Sequence, residues 1–89
     1  MEESNTYKPR ENVGYKIIKS IKIDGVEIVL GEDLDKQISK YVTWLFIYNR
    51  YQLGHYFVDK DDALIDFYQR VYKECIRVAE DLKRKNKNG

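Results

Sequence analysis

The sequence predicts one small α+β domain, in which a four-stranded antiparallel β-meander is followed by one long C-terminal amphipathic helix packed on one face of the sheet (ββββα). Three observations predict this fold. Four β-branched or aromatic segments precede residue 58, turn-forming residues separate them, and apolar residues recur every three or four positions over the last third of the chain. With 89 residues, of which 43% are hydrophobic and 13% aromatic, the chain can enclose one core.

The first two strands are predicted at residues 15–23 and 26–30. Both are rich in Ile and Val, and Asp24-Gly25 between them is the dipeptide that best suits a two-residue hairpin turn. The turn predicts a register that puts Ile23 opposite Val26, Ile21 opposite Ile28 and Lys22 opposite Glu27. Apolar pairs and oppositely charged pairs then fall on separate faces, so the turn and the face pattern agree.

The next two strands are predicted at residues 41–48 and 51–57. The first of them is apolar on both faces, which is typical of a strand that needs cover on both sides. Asn49 and Arg50 are assigned to the turn between the strands. Gly54 marks a bulge or a close-packing point in the second strand.

A single helix is predicted to begin after Asp59 and to run to about Lys85. Asp59 stands at the N-cap, and Asp61 and Asp62 lie in the first turn, where the helix dipole favours negative charge. The opposite face carries i,i+4 ion pairs such as that between Asp66 and Arg70. The predicted apolar stripe consists of Leu64, Phe67, Tyr68, Val71, Cys75, Val78, Ala79 and Leu82, with Ile65, Tyr72 and Ile76 at its shoulder.

The domain is predicted to span residues 14–86. Residues 1–13 show no periodicity and are assigned to a flexible leader, and residues 87–89 to a disordered tail. Residues 31–40 form a polar connection inside the domain, with a short helical turn expected at 34–38.

The composition predicts a cytoplasmic protein without a membrane association. A single Cys excludes an intramolecular disulfide, which favours a reducing compartment. The N-terminal residues lack the apolar stretch of a signal peptide. The longest apolar run, residues 41–48, is far shorter than the roughly 20 residues that span a bilayer.

No residue pattern predicts catalysis, a metal site or a cofactor, so the sequence favours a protein that is not an enzyme. His55 and Cys75 are the only His and the only Cys, and together they cannot supply the four ligands of a structural zinc site. Cys75 lies on the predicted apolar stripe and is expected to be buried. His55 is expected to be packed or hydrogen-bonded on its strand.

A partner surface is predicted because one helix covers only one face of a sheet whose third strand is apolar on both. Some aromatic side chains should then stay exposed and bind a protein partner, together with an acidic segment. The predicted partner-binding residues are Tyr41, Trp44, Tyr48, Tyr51, Glu32, Asp33 and Asp35. Two alternatives remain open: the leader or the 31–40 connection folds over this face, or two copies form a homodimer sheet to sheet.

A nucleic-acid-binding module is the less favoured alternative. Exposed aromatic rings on a sheet can stack bases, and Lys16, Lys19, Lys22 and the basic C-terminal tail could hold phosphates. The net charge of only +1 argues against it, since such domains usually have an uninterrupted basic face.

Three segments resemble a known class of proteins. Tyr41-Val42-Thr43-Trp44, then Gly54-His55-Tyr56-Phe57 with Asp59, and Ala63 with Asp66-Phe67 are similar to small accessory proteins carried by phages and conjugative elements of Firmicutes. The resemblance covers roughly residues 15–80, and residues 45–51 are more apolar than the glycine-containing turn of that class.

The resemblance implies a stoichiometric inhibitor of a bacterial defence nuclease, of the anti-CRISPR or anti-restriction type. It carries no catalytic residue onto this chain. In such an inhibitor, the acidic segments would complement a basic nucleic-acid channel.

Overall fold

The computed structural model describes residues 10–35 and 38–88, with side chains described as far as residue 86. It contains an antiparallel sheet with strand order β1-β2-β3-β4-β5 and one C-terminal helix. The α+β fold is therefore confirmed, but the sheet has five strands instead of four. The elements are β1 (Glu11–Asn12), β2 (Tyr15–Ile23), β3 (Val26–Asp33), β4 (Tyr41–Ile47), β5 (Arg50–Phe57) and α1 (Lys60–Asn88).

The two ends of the domain differ from the prediction. β1 lies inside the predicted leader, where it pairs with β2 through Glu11 opposite Lys16. A strand of two residues is too short to show alternation, so the sequence pattern could not reveal it. Residues 1–9 and 89 lie outside the described residues. At the other end, α1 continues to Asn88, so residues 87 and 88 belong to the helix instead of a tail.

The first hairpin has the predicted register. Ile23 pairs with Val26, Ile21 with Ile28, and Lys22 with Glu27. Asp24 adopts a left-handed backbone conformation at φ 56°, which an Asp in a tight turn tolerates well.

The second hairpin turns one residue earlier than predicted. Tyr48 and Asn49 have φ values of 52° and 65°, so these two residues form the turn and Ile47 pairs with Arg50. Tyr48 therefore lies outside the strand, with 92% of its surface exposed.

The connection before β4 is shorter than predicted, because β3 extends to Asp33. The main-chain N–H of Asp33 donates to the carbonyl of Lys40 across 2.8 Å, and the Tyr15 hydroxyl donates to the carbonyl of Ser39 across 2.7 Å. The expected helical turn at 34–38 includes residues 36 and 37, which lie outside the described residues. Leu34 and Asp35 form a bend.

The main core lies between the sheet and α1. Ile28 and Leu30 of β3 are fully buried against Phe67 and Ala63 of the helix. Asp59 caps the helix as predicted, since its Oδ2 accepts from the N–H of Asp62 across 3.1 Å.

A second, smaller core fills the face of the sheet opposite the helix. Trp44 is 4% exposed and packs with Tyr15, Val29 and Val42. The rings of Tyr15 and Trp44 meet edge to face, with centroids 5.7 Å apart. The expectation that Trp44 would be left exposed is therefore wrong, because aromatic residues of the same face close around it.

Arg10 adds cover to this face. Its guanidinium lies 5.0 Å from the centre of the Phe46 ring and 5.6 Å from that of Tyr51, and it forms an ion pair with Glu27 at 2.7 Å. Arg10 belongs to the predicted leader, so one residue of that segment does fold over the face opposite the helix. The ion pair with Glu27 raises the pKa of Arg10.

Gly54 is the close-packing point that the sequence predicts. It lies in a bulge of β5 opposite Trp44, and a Cβ atom at this position would stand 2.8 Å from the Trp44 Nε1. Leu53, the preceding residue, has φ 55°. The sheet can therefore curl over the indole ring only if no side chain intervenes.

Gly54→Ala is expected to lower the free energy of unfolding by about 1–3 kcal/mol, because the indole ring or the bulge must move to admit the methyl group. Gly25→Ala is the matched control, since a Cβ there meets nothing within 4 Å. Urea denaturation followed by circular dichroism compares the two variants. Equal stability of the two would contradict the close packing at Gly54.

The helix is rotated relative to the predicted apolar stripe. Phe67 faces the sheet as expected, but Cys75 is exposed, and Tyr72 is 67% exposed. Arg70, which the sequence pattern predicts on the solvent face, is 8% exposed. Leu64, Val71 and Val78 lie between these extremes. The predicted stripe is broader than the sheet-facing side, so roughly half of its residues remain in solvent.

Within the part of the chain that the structure describes, no helix combines the length and apolar character that crossing a membrane requires.

Candidate functional site

An acidic groove lies at the edge of the molecule where β3 ends, β4 begins and α1 begins. Its volume is about 660 Å³. We refer to it as the acidic groove, and its lining residues are Glu32, Asp33, Leu34, Lys40, Tyr41, Val58, Asp59 and Lys60. Three segments that are distant in the sequence therefore meet at one depression.

Strand pairing brings these segments together. Glu32 of β3 is opposite Tyr41 of β4, and Tyr41 is opposite Phe57 of β5. Because Phe57 is the last residue of β5, Val58 and Asp59 follow directly and place the start of α1 beside the ends of β3 and β4. The groove is thus a consequence of the meander register.

Hydrogen bonds shape the wall formed by β3 and the following connection. Asp33 Oδ1 accepts from the main-chain N–H of Asp35 across 2.8 Å, and the N–H of Leu34 donates to the carbonyl of Gly14 across 2.9 Å. These contacts fix the main chain on both sides of Asp33. The carboxylates of Glu32 and Asp35 take part in none of them and lie on exposed residues.

The groove combines negative charge with exposed apolar surface. Glu32, Asp33 and Asp59 supply three carboxylates against the two ammonium groups of Lys40 and Lys60. Asp61 and Asp62 extend the negative charge into the first turn of α1. Leu34 is 48% exposed and Val58 is 66% exposed.

The structure divides the predicted partner-binding residues among three locations. Glu32, Asp33 and Tyr41 line the acidic groove, and Asp35 follows it in the connection. Tyr48 lies in the turn after β4, at the opposite end of that strand. Trp44 and Tyr51 lie on the face opposite the helix, so these seven residues do not form one surface.

Trp44 and Tyr51 are already engaged within the fold. Trp44 is buried, and the Tyr51 hydroxyl accepts from Arg10 at 2.9 and 3.1 Å. Sequence reasoning missed Leu34 and Val58 as groove residues. Neither residue is charged, so the acidic pattern of residues 32–35 did not single them out, and only the strand register places Val58 beside that segment.

His55 lies in a separate polar cluster between β4, β5 and α1. Its Nδ1 is 3.0 Å from Asp66 Oδ2, and that oxygen also accepts from the Thr43 hydroxyl across 2.5 Å. The predicted hydrogen-bonded role of His55 is thus confirmed. Thr43 is fully buried, so its hydroxyl is a structural donor to Asp66.

Arg70 completes this cluster from the helix. Its Nε lies 3.4 Å from Asp66 Oδ2, and a terminal nitrogen donates to the carbonyl of Leu53 across 2.6 Å. Its other terminal nitrogen, Nη1, is buried without a hydrogen-bond partner among the described residues. Burial lowers the pKa of Arg70, and the Asp66 carboxylate opposes that effect.

Across residues 10–35 and 38–88, no group of three or more His, Cys, Asp or Glu side chains is placed to hold a metal ion.

No protein-family model matches the chain, and neither the curated proteins nor the solved structures contain a match to it. The resemblance to accessory proteins of phages and conjugative elements therefore stays a prediction.

Proposed function

We propose that the chain is a non-catalytic protein-binding factor of a phage or mobile element. In this proposal it is a stoichiometric inhibitor of the anti-CRISPR or anti-restriction type, which acts in the bacterial cytoplasm on a defence nuclease. The acidic groove is the contact surface, and the single observation that supports the proposal is its mixed lining of carboxylates and exposed apolar side chains.

The charges of the groove suit a basic partner surface. Nucleases hold the phosphates of their substrate with Lys and Arg side chains, which makes the substrate channel strongly positive. Glu32, Asp33 and Asp59 present carboxylates that can pair with such side chains in place of phosphates. A protein that occupies the channel in this way competes with the nucleic acid directly.

The apolar residues of the groove supply a second requirement for stable binding. Interfaces obtain most of their affinity from a few apolar or aromatic anchors that lose water on binding, while the surrounding charges set specificity and association rate. Leu34 and Val58 are exposed large apolar residues beside the carboxylates, and Tyr41 adds an aromatic ring.

A nucleic-acid partner is less favoured by these observations. Base stacking needs accessible ring faces, whereas Trp44 and Tyr15 are buried in the second core. The groove itself carries more negative than positive groups and would repel phosphates.

The proposal predicts that the chain protects an infecting phage from a nuclease-based defence. Phage plating efficiency is measured on bacteria that carry a defined CRISPR or restriction system, with and without the chain. Cleavage of DNA by the purified nuclease is then titrated with the chain, and inhibition should reach its plateau near equimolar addition.

Reversing two exposed charges tests the role of the groove. The double variant Glu32→Lys and Asp35→Lys should weaken the binding of the inhibited nuclease about tenfold or more. Glu80→Lys, a reversal near the other end of α1, is the matched control and should bind normally. The proposal is refuted if the wild-type chain inhibits none of the CRISPR and restriction nucleases tested, or if the double variant inhibits as fully as the wild-type chain.

A further inference from the structure

The outer flank of α1 carries apolar side chains that the sheet leaves in solvent. Ile65 is 56% exposed, Tyr68 49% and Leu82 54%. We name this surface the outer stripe, and its residues are Ile65, Tyr68, Tyr72, Cys75, Ala79 and Leu82. None of these residues lines the acidic groove.

The spacing of the outer stripe is that of a helix-pairing surface. Its residues alternate steps of three and four positions from Ile65 to Leu82, which is the a/d pattern of a coiled coil. At 1.5 Å per residue the stripe is about 26 Å long. A depression of about 620 Å³ at its N-terminal half is lined by Ile65, Tyr68 and Tyr72, among others.

The outer stripe lies on the β2 flank of α1 and is not needed to complete the main core. The Nζ of Lys19, on β2, lies 5.9 Å from the centre of the Tyr68 ring, so the stripe faces the β2 side of the sheet. The main core is already complete without the stripe, because Phe67 and Ala63 fill the sheet-facing side. The stripe is therefore surplus to the fold of one copy.

We propose that α1 pairs with α1 of a second copy in antiparallel orientation, and that the outer stripe is the contact surface of a homodimer. The stripe is self-complementary about its own midpoint. A twofold axis at this midpoint places Ile65 opposite Leu82, Tyr68 opposite Ala79, and Tyr72 opposite Cys75 of the second copy. Each Tyr thus meets a small residue, as close helix packing requires.

The charges along α1 favour the same orientation. The first turn is acidic, with Asp61 and Asp62, and the last turns are basic, with Lys83 and Lys85. In an antiparallel pair the same flanks of the two helices meet, so Asp62 lies beside Lys83 of the second copy, and symmetry repeats this pair. A parallel arrangement would instead bring acidic turns together and basic turns together, which is unfavourable.

Analytical ultracentrifugation of the full chain tests the dimer. The wild-type chain is expected to be a dimer at about 100 µM, and Tyr72→Glu should raise the dissociation constant about tenfold or more by placing a charge in the contact. Tyr48→Glu is the matched control, because Tyr48 is also exposed but lies away from the stripe. Both variants should keep the wild-type circular dichroism spectrum.

Disulfide trapping with diamide tests the orientation. The thiol introduced by Tyr72→Cys should oxidise with Cys75 of the second copy to a disulfide, and diamide is reduced to the hydrazine. The wild-type chain should not cross-link, since its Cys75 faces Tyr72. Tyr48→Cys should cross-link no faster than the wild-type chain.

Three results would overturn the inference: a monomer at about 1 mM, unchanged dimerisation of Tyr72→Glu, or ready cross-linking of the wild-type chain through its two Cys75 residues. A chain that stays monomeric and uses the stripe to bind a different helical protein would also overturn the inference. Since all measurements use the chain alone, they are independent of whether it inhibits a nuclease.

Discussion

Trp44→Ala is expected to lower the free energy of unfolding by about 4 kcal/mol. Trp44 is 4% exposed and fills the space between Tyr15, Val42 and the flat surface left by Gly54. The cavity left by its removal cannot close easily, because β4 and β5 hold the surrounding main chain in the sheet. A loss of this size takes a large share of the 5–15 kcal/mol that is typical of a domain.

Urea denaturation followed by far-ultraviolet circular dichroism measures this loss. Tyr48→Ala is the control, because Tyr48 is 92% exposed and its removal should change stability by no more than about 0.5 kcal/mol. Fluorescence of the wild-type chain gives an independent check, since Trp44 is its only Trp and should be poorly quenched by iodide. A small effect of Trp44→Ala together with strong quenching would show that the second core is open to solvent.

Asp66→Ala is expected to destabilise the fold by about 3 kcal/mol, because it leaves the buried Arg70 guanidinium without its carboxylate. Asp66 Oδ2 is also the acceptor for the buried hydroxyl of Thr43. The Thr43 hydroxyl and the Arg70 Nε would then remain inside the fold without the acceptor that Asp66 provides. His55 contributes less, since its side chain is 51% exposed and can be hydrated when the contact is lost.

A double-mutant cycle separates the ion pair from the packing of the Arg70 stem. Arg70→Met keeps an apolar stem of similar length and should cost less than Asp66→Ala. Combining the two changes should recover part of the stability that Asp66→Ala loses. His55→Ala serves as the control, with an expected effect of less than about 1 kcal/mol. Additive effects of Asp66→Ala and Arg70→Met would contradict the coupling between the two side chains.

The sequence was sufficient where the structure depends on local chemistry. Asp24-Gly25 and its flanking residues determine the first hairpin and its register, and Asp59 determines the start of α1. A turn or a helix cap depends only on residues that are close together in the sequence, so a short segment is enough to predict it.

Local sequence signals could not predict which side of α1 faces the sheet. Arg70 is charged and has acidic residues four positions away on both sides, which is the pattern of a solvent-exposed face. Its burial depends on Asp66 and on the carbonyl of Leu53, and the latter belongs to a distant bulge. The sequence pattern therefore places the outer stripe in the core, whereas the sheet packs against the side of α1 that carries Ala63 and Phe67.

The candidate site was also only partly predictable. Glu32, Asp33 and Asp35 form a cluster along the chain, and the sequence identified them as a charged surface. Leu34 and Val58 join them only through the pairing of β3, β4 and β5. The expected exposed aromatic face was wrong for Trp44 because close contacts at Gly54 let the sheet curl around the ring.

The strand order has a consequence for how fast the chain folds. Every strand pairs only with strands adjacent to it in the sequence, and most connections between them are two-residue turns. The entropy lost in closing each hairpin is therefore small, and no strand has to wait for a distant segment before it can pair. Although five of the six elements in the described residues are strands, this protein has the local topology that is associated with rapid, cooperative folding.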